Sequence, residues 1–303
     1  MNKRKVVIHE VGLRDGLQIE KEIVPTEVKI RWAEQLIRSG IDIIQLGSFV
    51  HPEKVPQMAD TDELFRYFIK VKYKYPDIIF SGLVLNENGL ERGLRCGVDL
   101  FCMGVSASDA HSRRNTGMST DEALRRIVPM AKVVLQEGKQ VQASVQSAFG
   151  CGYEGMVPVE RILRIVATYL ENGIINISLA DTAGLANPKQ VEELYEKIFQ
   201  FEQKVIAISH FHETYGLGLV NAYTAFSIGV SNFETGFGGL GGCPFTAHAG
   251  GNVCTEDFVH MLHRMDIRKD INLDDIIAVT KDAEDYFKRQ LPGVIYKTGP
   301  IQS

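Results

Sequence analysis

The chain has 303 residues, which is enough for one large α/β domain or two small ones. It is 45% apolar and 23% charged, the composition of an ordinary globular protein, and no apolar run approaches the roughly 20 residues of a membrane span. A net charge of −5 argues against nucleic acid as a partner. Five scattered cysteines without a CxxC pair indicate reduced thiols and a cytoplasmic protein.

Short β-rich runs alternate with segments of helical periodicity along the chain. The predicted strands are residues 5–11, 41–46, 78–85, 100–105, 140–146, 174–179, 205–210 and 230–235. The predicted helices are residues 26–39, 61–74, 88–96, 119–136, 158–171, 188–201, 217–228, 256–265 and 273–288. This alternation favours a parallel sheet, and eight units in about 270 residues favour a closed (β/α)8 TIM barrel with additional C-terminal helices.

An open, doubly wound sheet is the alternative architecture. Such sheets usually carry a GxGxxG turn after the first strand, whereas the turn here reads GLRDGLQ. No linker and no break in composition divides the chain. We therefore expect a single catalytic TIM-barrel domain over residues 1–303, with a glycine-rich lid loop at residues 236–252.

Chemically active side chains follow several of the predicted strands. Active sites of such barrels lie at the carboxyl ends of the strands, so these side chains are expected to converge. Taken alone, each cluster also fits a structural role, such as a turn residue at Asp15 or a helix cap at Asp181. The strand-end residues are Arg14, Asp15, Gln18, Gln45, Ser48, Asp181, His210 and His212.

His210 and His212 are two residues apart at the end of a strand, a spacing that places both imidazoles on one face. Asp15 offers a carboxylate and Asn252 an amide oxygen. Two oxygen and two nitrogen ligands without a thiolate suit Mg²⁺ or Mn²⁺, with substrate or water completing the shell. Fe²⁺ also fits two histidines and one carboxylate.

Cys243 lies in the glycine-rich loop, where a thiol over a metal site can act as a general acid or base. A buried, inert thiol is the alternative. Arg14 offers a fixed positive charge for a developing enolate, or a structural salt bridge. Glu256 either holds a site residue in place or caps the helix that follows Asn252.

The chain resembles hydroxymethylglutaryl-CoA lyases, within the wider group of barrel metal-dependent aldol and Claisen enzymes. The wider group shares RDGLQ at residues 14–18 and HFH at residues 210–212, while GLGGCP at residues 239–244 and GNVCTED at residues 251–257 are specific to the lyases. Other similar stretches, in chain order, are IVPTEVKI, GSFVHPEKVPQM, GCGYEG and SLADTAG.

The resemblance implies a retro-Claisen lyase that cleaves an acyl-CoA substrate and forms a homodimer. It implies Mg²⁺ or Mn²⁺ on Asp15, His210, His212 and Asn252. It also implies that Arg14 lies near the thioester carbonyl, that Cys243 protonates the acetyl-CoA enolate, and that two active-site acids are present, Asp181 and Glu256.

Gln45 departs from the family pattern, which has Glu at this position. His248 is an additional titratable group in the lid. We expect Gln18, Gln45, Ser48 and His248 to contact substrate. Hydroxymethylglutaryl-CoA is the first candidate substrate, and Gln45 favours the alternative, a related 3-hydroxyacyl-CoA with a different branch or acid group. Two other classes remain open: an acetyl-CoA-condensing synthase, and a homologue that binds without turnover.

Overall fold

The computed structural model describes residues 6–201, 204–242 and 250–301, and within them eight parallel strands close into a barrel in sequence order. The closure joins Val7 of the first strand to Asn232 of the last. The strands are β1 Val7–Glu10, β2 Ile43–Ser48, β3 Ile79–Leu83, β4 Leu100–Ser106, β5 Gln140–Gln146, β6 Asn176–Ala180, β7 Ile206–His210 and β8 Asn232–Thr235. The prediction of a TIM barrel is confirmed.

Helices follow the strands around the outside of the barrel and continue beyond the last strand. They are α1 Thr26–Arg38, α2 Thr61–Val71, α3 Glu87–Arg95, α4 Asp109–Thr116, α5 Thr120–Gln136, α6 Val159–Glu171, α7 Pro188–Phe199, α8 Gly218–Ser227, α9 Thr255–Arg264, α10 Leu273–Phe287 and α11 Ile295–Thr298. The nine predicted helices are all present. Sequence reasoning missed two helices: α4, whose polar sequence, DAHSRRNT, has no apolar periodicity, and α11, which has only four residues.

Apolar periodicity explains how the outer helices pack. In α1, Val28, Trp32 and Leu36 recur at a spacing of four residues and are buried against the barrel. The ring of Trp32 lies edge-on to Phe237, with 5.7 Å between centroids, and also contacts Tyr286 of α10. The additional C-terminal helix α10 therefore packs beside α1 and under the segment that begins the glycine-rich loop.

Two irregularities occur at the carboxyl end of the barrel. The β2–β3 register shifts between Gln45 and Gly47, a bulge of the kind that changes where a side chain points. Directly after β1, the segment Gly12–Gly16 forms a single π-helical turn, a feature frequent at functional sites. Among the described residues, no helix has the length and apolar character needed to cross a membrane.

Candidate active site

The π-helical turn positions Asp15 over the barrel. The backbone N–H of Asp15 donates to the Val11 carbonyl at 2.7 Å, which places its carboxylate directly above the end of β1. That carboxylate is buried beside the Arg14 guanidinium, whose Nη1 lies 2.5 Å from Asp15 Oδ1. Burial alone would raise the pKa of Asp15, but Arg14 and the two nearby histidines hold it well below its usual range. Asp15 is thus an anion poised to bind a cation.

His210 and His212 face this carboxylate from the end of β7. Their Nε2 atoms lie 4.0 Å and 3.7 Å from Asp15 Oδ2, and their ring centroids are 4.9 Å apart. One ligand atom from each of the three residues lies within 4.8 Å of the other two, and all three residues are buried. The structure therefore brings together three of the four metal ligands predicted from the sequence.

Asn252, the fourth predicted ligand, lies against the same group. Its Nδ2 donates to Asp15 Oδ2 at 3.0 Å and to the Leu240 carbonyl at 2.8 Å, which leaves Oδ1 free to face another partner. Asn252 Oδ1 and His212 Nε2 are both buried without a hydrogen-bond partner among the described residues. Unsatisfied buried acceptors beside a buried carboxylate are what a divalent cation would satisfy, so these residues fit a metal ion.

Backbone and side-chain contacts orient both imidazoles. Nδ1 of His212 donates to the backbone carbonyl of Asp181 at 2.9 Å, which turns its Nε2 toward Asp15. The Asp181 carboxylate accepts hydrogen bonds from the backbone N–H groups of Leu185 and Ala186 at 2.8 Å and 3.1 Å. Burial raises the pKa of Asp181 to about 6.

Glu234 of β8, which the sequence reasoning missed, plays the corresponding part for His210. Its Oε2 accepts from His210 Nδ1 at 3.2 Å and from Ser178 Oγ at 2.7 Å, and its Oε1 accepts from Gln142 Nε2 at 2.8 Å. Burial opposes ionisation, but the contact with His210 outweighs it and lowers the pKa of Glu234 to about 2. The sequence signal that could have identified Glu234 was a carboxylate within a predicted buried strand, directly before the glycine-rich loop.

Arg14 connects Asp15 to β2. Its Nε donates to Gln45 Oε1, and Gln18 Nε2 donates to Asp15 Oδ1 at 3.1 Å. Gln45 is fully buried within the barrel end. Arg14, Asp15, Gln18 and Gln45 therefore form one continuous hydrogen-bonded group on the β1–β2 side of the site.

A cavity of about 1060 Å³ extends from this group to the molecular surface. Its outer part is formed by the loops after β2 and β4 and carries five basic or titratable side chains: His51, Lys54, Arg113, Arg114 and Arg126. Arg126 is paired with Glu87, and Arg114 lies over the Tyr153 ring at 4.1 Å. Within the part of the chain that the structure describes, Lys54 and Arg113 form no ion pair.

Two of the predicted site residues, Ser48 and Glu256, do not line the cavity. The Ser48 hydroxyl is buried, and its backbone is bonded to Thr61. Glu256 lies beneath the start of the glycine-rich segment, where its Oε2 accepts from the Gly238 N–H at 3.0 Å and burial raises its pKa to about 8. Cys243 and His248 fall outside the described residues.

Glu10 is a second buried carboxylate under this segment, and sequence reasoning did not identify it. Its Oε1 accepts from the backbone N–H groups of Gly12 at 2.7 Å and Phe237 at 3.1 Å, and Thr255 donates to Oε2. Burial raises the pKa of Glu10 to about 7. Together, Glu10 and Glu256 hold the turn after β1 against the first residues of the glycine-rich segment.

Comparisons with known proteins agree along nearly the whole chain. The HMGL-like family matches residues 5–282. The hydroxymethylglutaryl-CoA lyase YngG of Bacillus subtilis is 38% identical over 290 residues, which cover 95% of each chain. The (R)-citramalyl-CoA lyase of Chloroflexus aurantiacus is 33% identical over 302 residues, 98% of this chain and 95% of that relative.

The fold comparison gives the same result. A structure of an HMG-CoA lyase from A. baumannii in complex with coenzyme A and 3-methylmalate superposes with a TM-score of 0.92 at 35% identity. The match covers 100% of this chain and 98% of that one. The chain therefore belongs to the HMGL-like family and is a carbon–carbon lyase of the hydroxymethylglutaryl-CoA lyase type.

Proposed function

We propose that this chain is a divalent-metal-dependent lyase that cleaves a branched 3-hydroxyacyl-CoA. The first candidate substrate is 3-hydroxy-3-methylglutaryl-CoA, which would give acetyl-CoA and acetoacetate as products. The observation that carries this proposal is the buried group of Asp15, His210 and His212 at the inner end of a deep cavity. Relatives named as hydroxymethylglutaryl-CoA and citramalyl-CoA lyases support the substrate class.

Asp15, His210, His212 and Asn252 would hold Mg²⁺ or Mn²⁺. When bound, such an ion supplies positive charge that favours loss of the hydroxyl proton of the substrate. Arg14 lies beside Asp15 and next to Gln45, where it can stabilise negative charge on the thioester oxygen.

Cys243 is proposed as the acid that delivers a proton to the acetyl-CoA enolate, since it belongs to the loop that continues from Gly242 at the cavity. His248 of the same loop is proposed to contact substrate. Asp181 and Glu256 are proposed as site acids that act through neighbours, because their carboxylates accept from backbone amides, Asp181 from Leu185 and Glu256 from Gly238. Ser48 is proposed to contact substrate from the end of β2.

The outer cavity suits the phosphates of coenzyme A. Lys54 and Arg113, which form no ion pair among the described residues, offer positive charge at the mouth of a cavity that ends at the metal ligands. A coenzyme A arm laid along it would bring its thioester to Arg14. We further propose one catalytic domain over residues 1–303, a homodimer, and a cytoplasmic location.

A second substrate is favoured by one observation. Gln45 is neutral, so it does not neutralise the positive charge of Arg14 as the glutamate of the family pattern would. A site with this surplus charge can accept a substrate whose carboxylate is attached directly to the carbon that carries the hydroxyl, as in citramalyl-CoA.

The test is acetyl-CoA release by purified protein supplied with Mg²⁺ or Mn²⁺, with hydroxymethylglutaryl-CoA and citramalyl-CoA as substrates in parallel. We expect metal-dependent release from at least one, and loss of both release and metal binding in Asp15→Asn. Condensation of acetyl-CoA with a 2-oxo acid would instead identify a synthase. Metal and coenzyme A binding without release from either ester would refute the proposed function.

A further inference from the structure

The wall of the cavity is charged on one half and uncharged on the other. Arg14 and Asp15 follow β1, and His210 and Glu234 belong to β7 and β8. By contrast, the residues that β4, β5 and β6 contribute to the cavity are all uncharged: Cys102, Met103, Gln142, Ser144, Gln146 and Ala180. A substrate group that faces these three strands therefore meets no charged side chain of the strands themselves.

Small residues widen the uncharged half beside the candidate metal ligands. Ala180 is the register partner of His210, so it adjoins the metal group directly. Ser144 pairs with Gly104 of β4, where a Cβ atom would lie only 2.2 Å from Ser144 Oγ. Bulky branched residues usually fill the interior of such barrels. Alanine, serine and glycine at these neighbouring positions therefore leave a recess with room for more than a methyl group.

Hydrogen-bond donors line this recess. Ser144 and Gln146 are half-buried, and neither side chain hydrogen-bonds another residue within the described part of the chain. Thr182 Oγ1 accepts from the Ser147 N–H at 2.9 Å, which leaves its own hydroxyl hydrogen available to donate. Because Ser144, Gln146 and Thr182 all line the cavity, a ligand can reach these donors.

The backbone at the end of β5 holds the donors in place. Ser147 has a φ of 54°, in the left-handed region that non-glycine residues rarely adopt. The N–H of Ala148 donates to the Ala180 carbonyl at 3.0 Å. With the bond between Ser147 and Thr182, this contact ties the end of β5 to the end of β6. Backbone strain of this kind persists where surrounding contacts fix it, and it is frequent where ligands bind.

The distribution of charge determines which part of the substrate enters the recess. C3 of a branched 3-hydroxyacyl-CoA carries a hydroxyl group, the CH₂ that leads to the thioester, an acid arm and a branch. With the hydroxyl at the metal ligands and the thioester beside Arg14, the acid arm and the branch remain to be placed. A carboxylate is costly to desolvate without a positive partner, so the acid arm belongs in the charged half. The uncharged recess is left for the branch.

We propose that Ser144, Gln146 and Thr182 form a subsite for the branch at C3, and that the preferred branch is uncharged, larger than methyl and equipped with an oxygen that accepts hydrogen bonds. An alkyl branch would fill the recess but would desolvate the donors without pairing them, which weakens binding. The inference deepens the proposed function and rests on it. The ketone released with acetyl-CoA would keep this branch.

Three 3-hydroxyglutaryl-CoA esters that differ only in the branch at C3 test both properties. The branches are methyl, propyl and methoxymethyl, of which the last two are similar in length and differ by one oxygen. We expect kcat/KM to be highest for the methoxymethyl ester, about 3–10-fold above the propyl ester, which is the effect of one additional hydrogen bond. A methyl or propyl ester that is cleaved as well as the methoxymethyl ester would overturn the subsite.

Two substitutions separate size from hydrogen bonding. Ser144→Leu fills the recess, so it should lower kcat/KM at least about 10-fold more for the methoxymethyl ester than for the methyl ester. Gln146→Leu removes the amide at similar volume, so it should reduce the preference for methoxymethyl over propyl. Gln140→Leu, at an exposed position at the amino end of β5, is the matched control and should leave both ratios unchanged. Unchanged ratios in Ser144→Leu and Gln146→Leu proteins with a normal melting temperature would refute the assignment.

Binding of non-cleavable analogues decides the inference independently of turnover. In these analogues a CH₂ group replaces the thioester carbonyl, and each is titrated by calorimetry into Mn²⁺-loaded protein. We expect the methoxymethyl analogue to bind most tightly and to lose this advantage in Ser144→Leu. That order of affinities without cleavage of any ester would overturn the proposed function alone. Equal affinities, or tightest binding of the methyl or propyl analogue, would overturn the subsite, and no binding of any analogue would overturn both.

Discussion

Replacing Glu234 by glutamine should weaken metal binding without removing any metal ligand. In the structure, Glu234 Oε2 accepts from His210 Nδ1 at 3.2 Å, which fixes the tautomer and directs Nε2 toward Asp15. His9 lies 3.6 Å from Glu234, but burial lowers its pKa to about 4, so it is neutral near pH 7 and does not balance the charge. The Glu234 charge therefore acts mainly on His210.

The expected decrease in metal affinity follows from the loss of this charge-assisted contact. Removal of an outer partner of a metal-binding histidine typically weakens metal affinity about 10–100-fold, which corresponds to about 1.4–2.7 kcal/mol. The glutamine amide must also place its NH₂ group against Gln142 Nε2 on one side or Ser178 and His210 on the other, where all neighbours donate. We therefore expect the upper half of that range.

The assay is calorimetric titration of Mn²⁺ into chelator-treated protein, with the melting temperature of the metal-free protein as a check on folding. Ser178→Ala is the control, because it removes one neutral donor to Glu234 and leaves the contact with His210 in place. We expect little change in its Mn²⁺ affinity. A Glu234→Gln protein that is folded and binds Mn²⁺ as tightly as the unmodified one would show that the contact does not orient His210.

Three further predictions concern other parts of the site. Arg113→Ala and Lys54→Ala should raise KM for coenzyme A esters several-fold while leaving kcat unchanged, and the difference should shrink at high salt; an effect on kcat alone would contradict a role in binding phosphates. Cys243→Ala should lower kcat about 10²–10⁴-fold with Mn²⁺ affinity retained, whereas unchanged turnover would exclude the thiol as the acid. Burial raises the pKa of Glu256 from 4.5 to about 8, so between these pH values the folded protein retains a proton that the unfolded chain releases. The free energy of unfolding should therefore fall as pH rises from 4.5 to about 8. Glu256→Gln should flatten this pH dependence of the melting temperature, and an unaltered profile would contradict the raised pKa of Glu256.

Much of the architecture could be predicted from the sequence because each strand and most helices carry their own periodic signal. Helix α4 could not be predicted, because only His111 and Ser112 of its eight residues are buried and neither gives an apolar periodic pattern. The same contrast applies to the site. Asp15, His210 and His212 stand in recognisable local patterns, and their convergence follows from the closed barrel.

Other features depend on contacts between residues that are distant in sequence. Glu234 gains its importance from Gln142, Ser178 and His210, three residues on other strands. Gln45 could be identified as unusual from the sequence, but its unpaired donor depends on the direction of Arg14 Nε. Such directional information arises only when the strands are aligned side by side.

The pairing of β1 with β8 also bears on how the protein assembles during synthesis. Val7 pairs with Asn232, and Asn252 Nδ2 bonds Asp15 across 237 positions of sequence. The barrel cannot close before β8, which ends at Thr235, has left the ribosome, and the full group around Asp15 cannot form before residue 252 has done so. Because long-range pairing of this kind is slow, we expect metal capture to be among the last events of folding. Nascent chains that lack the last strand would carry Asp15 and both histidines yet hold no preformed metal site.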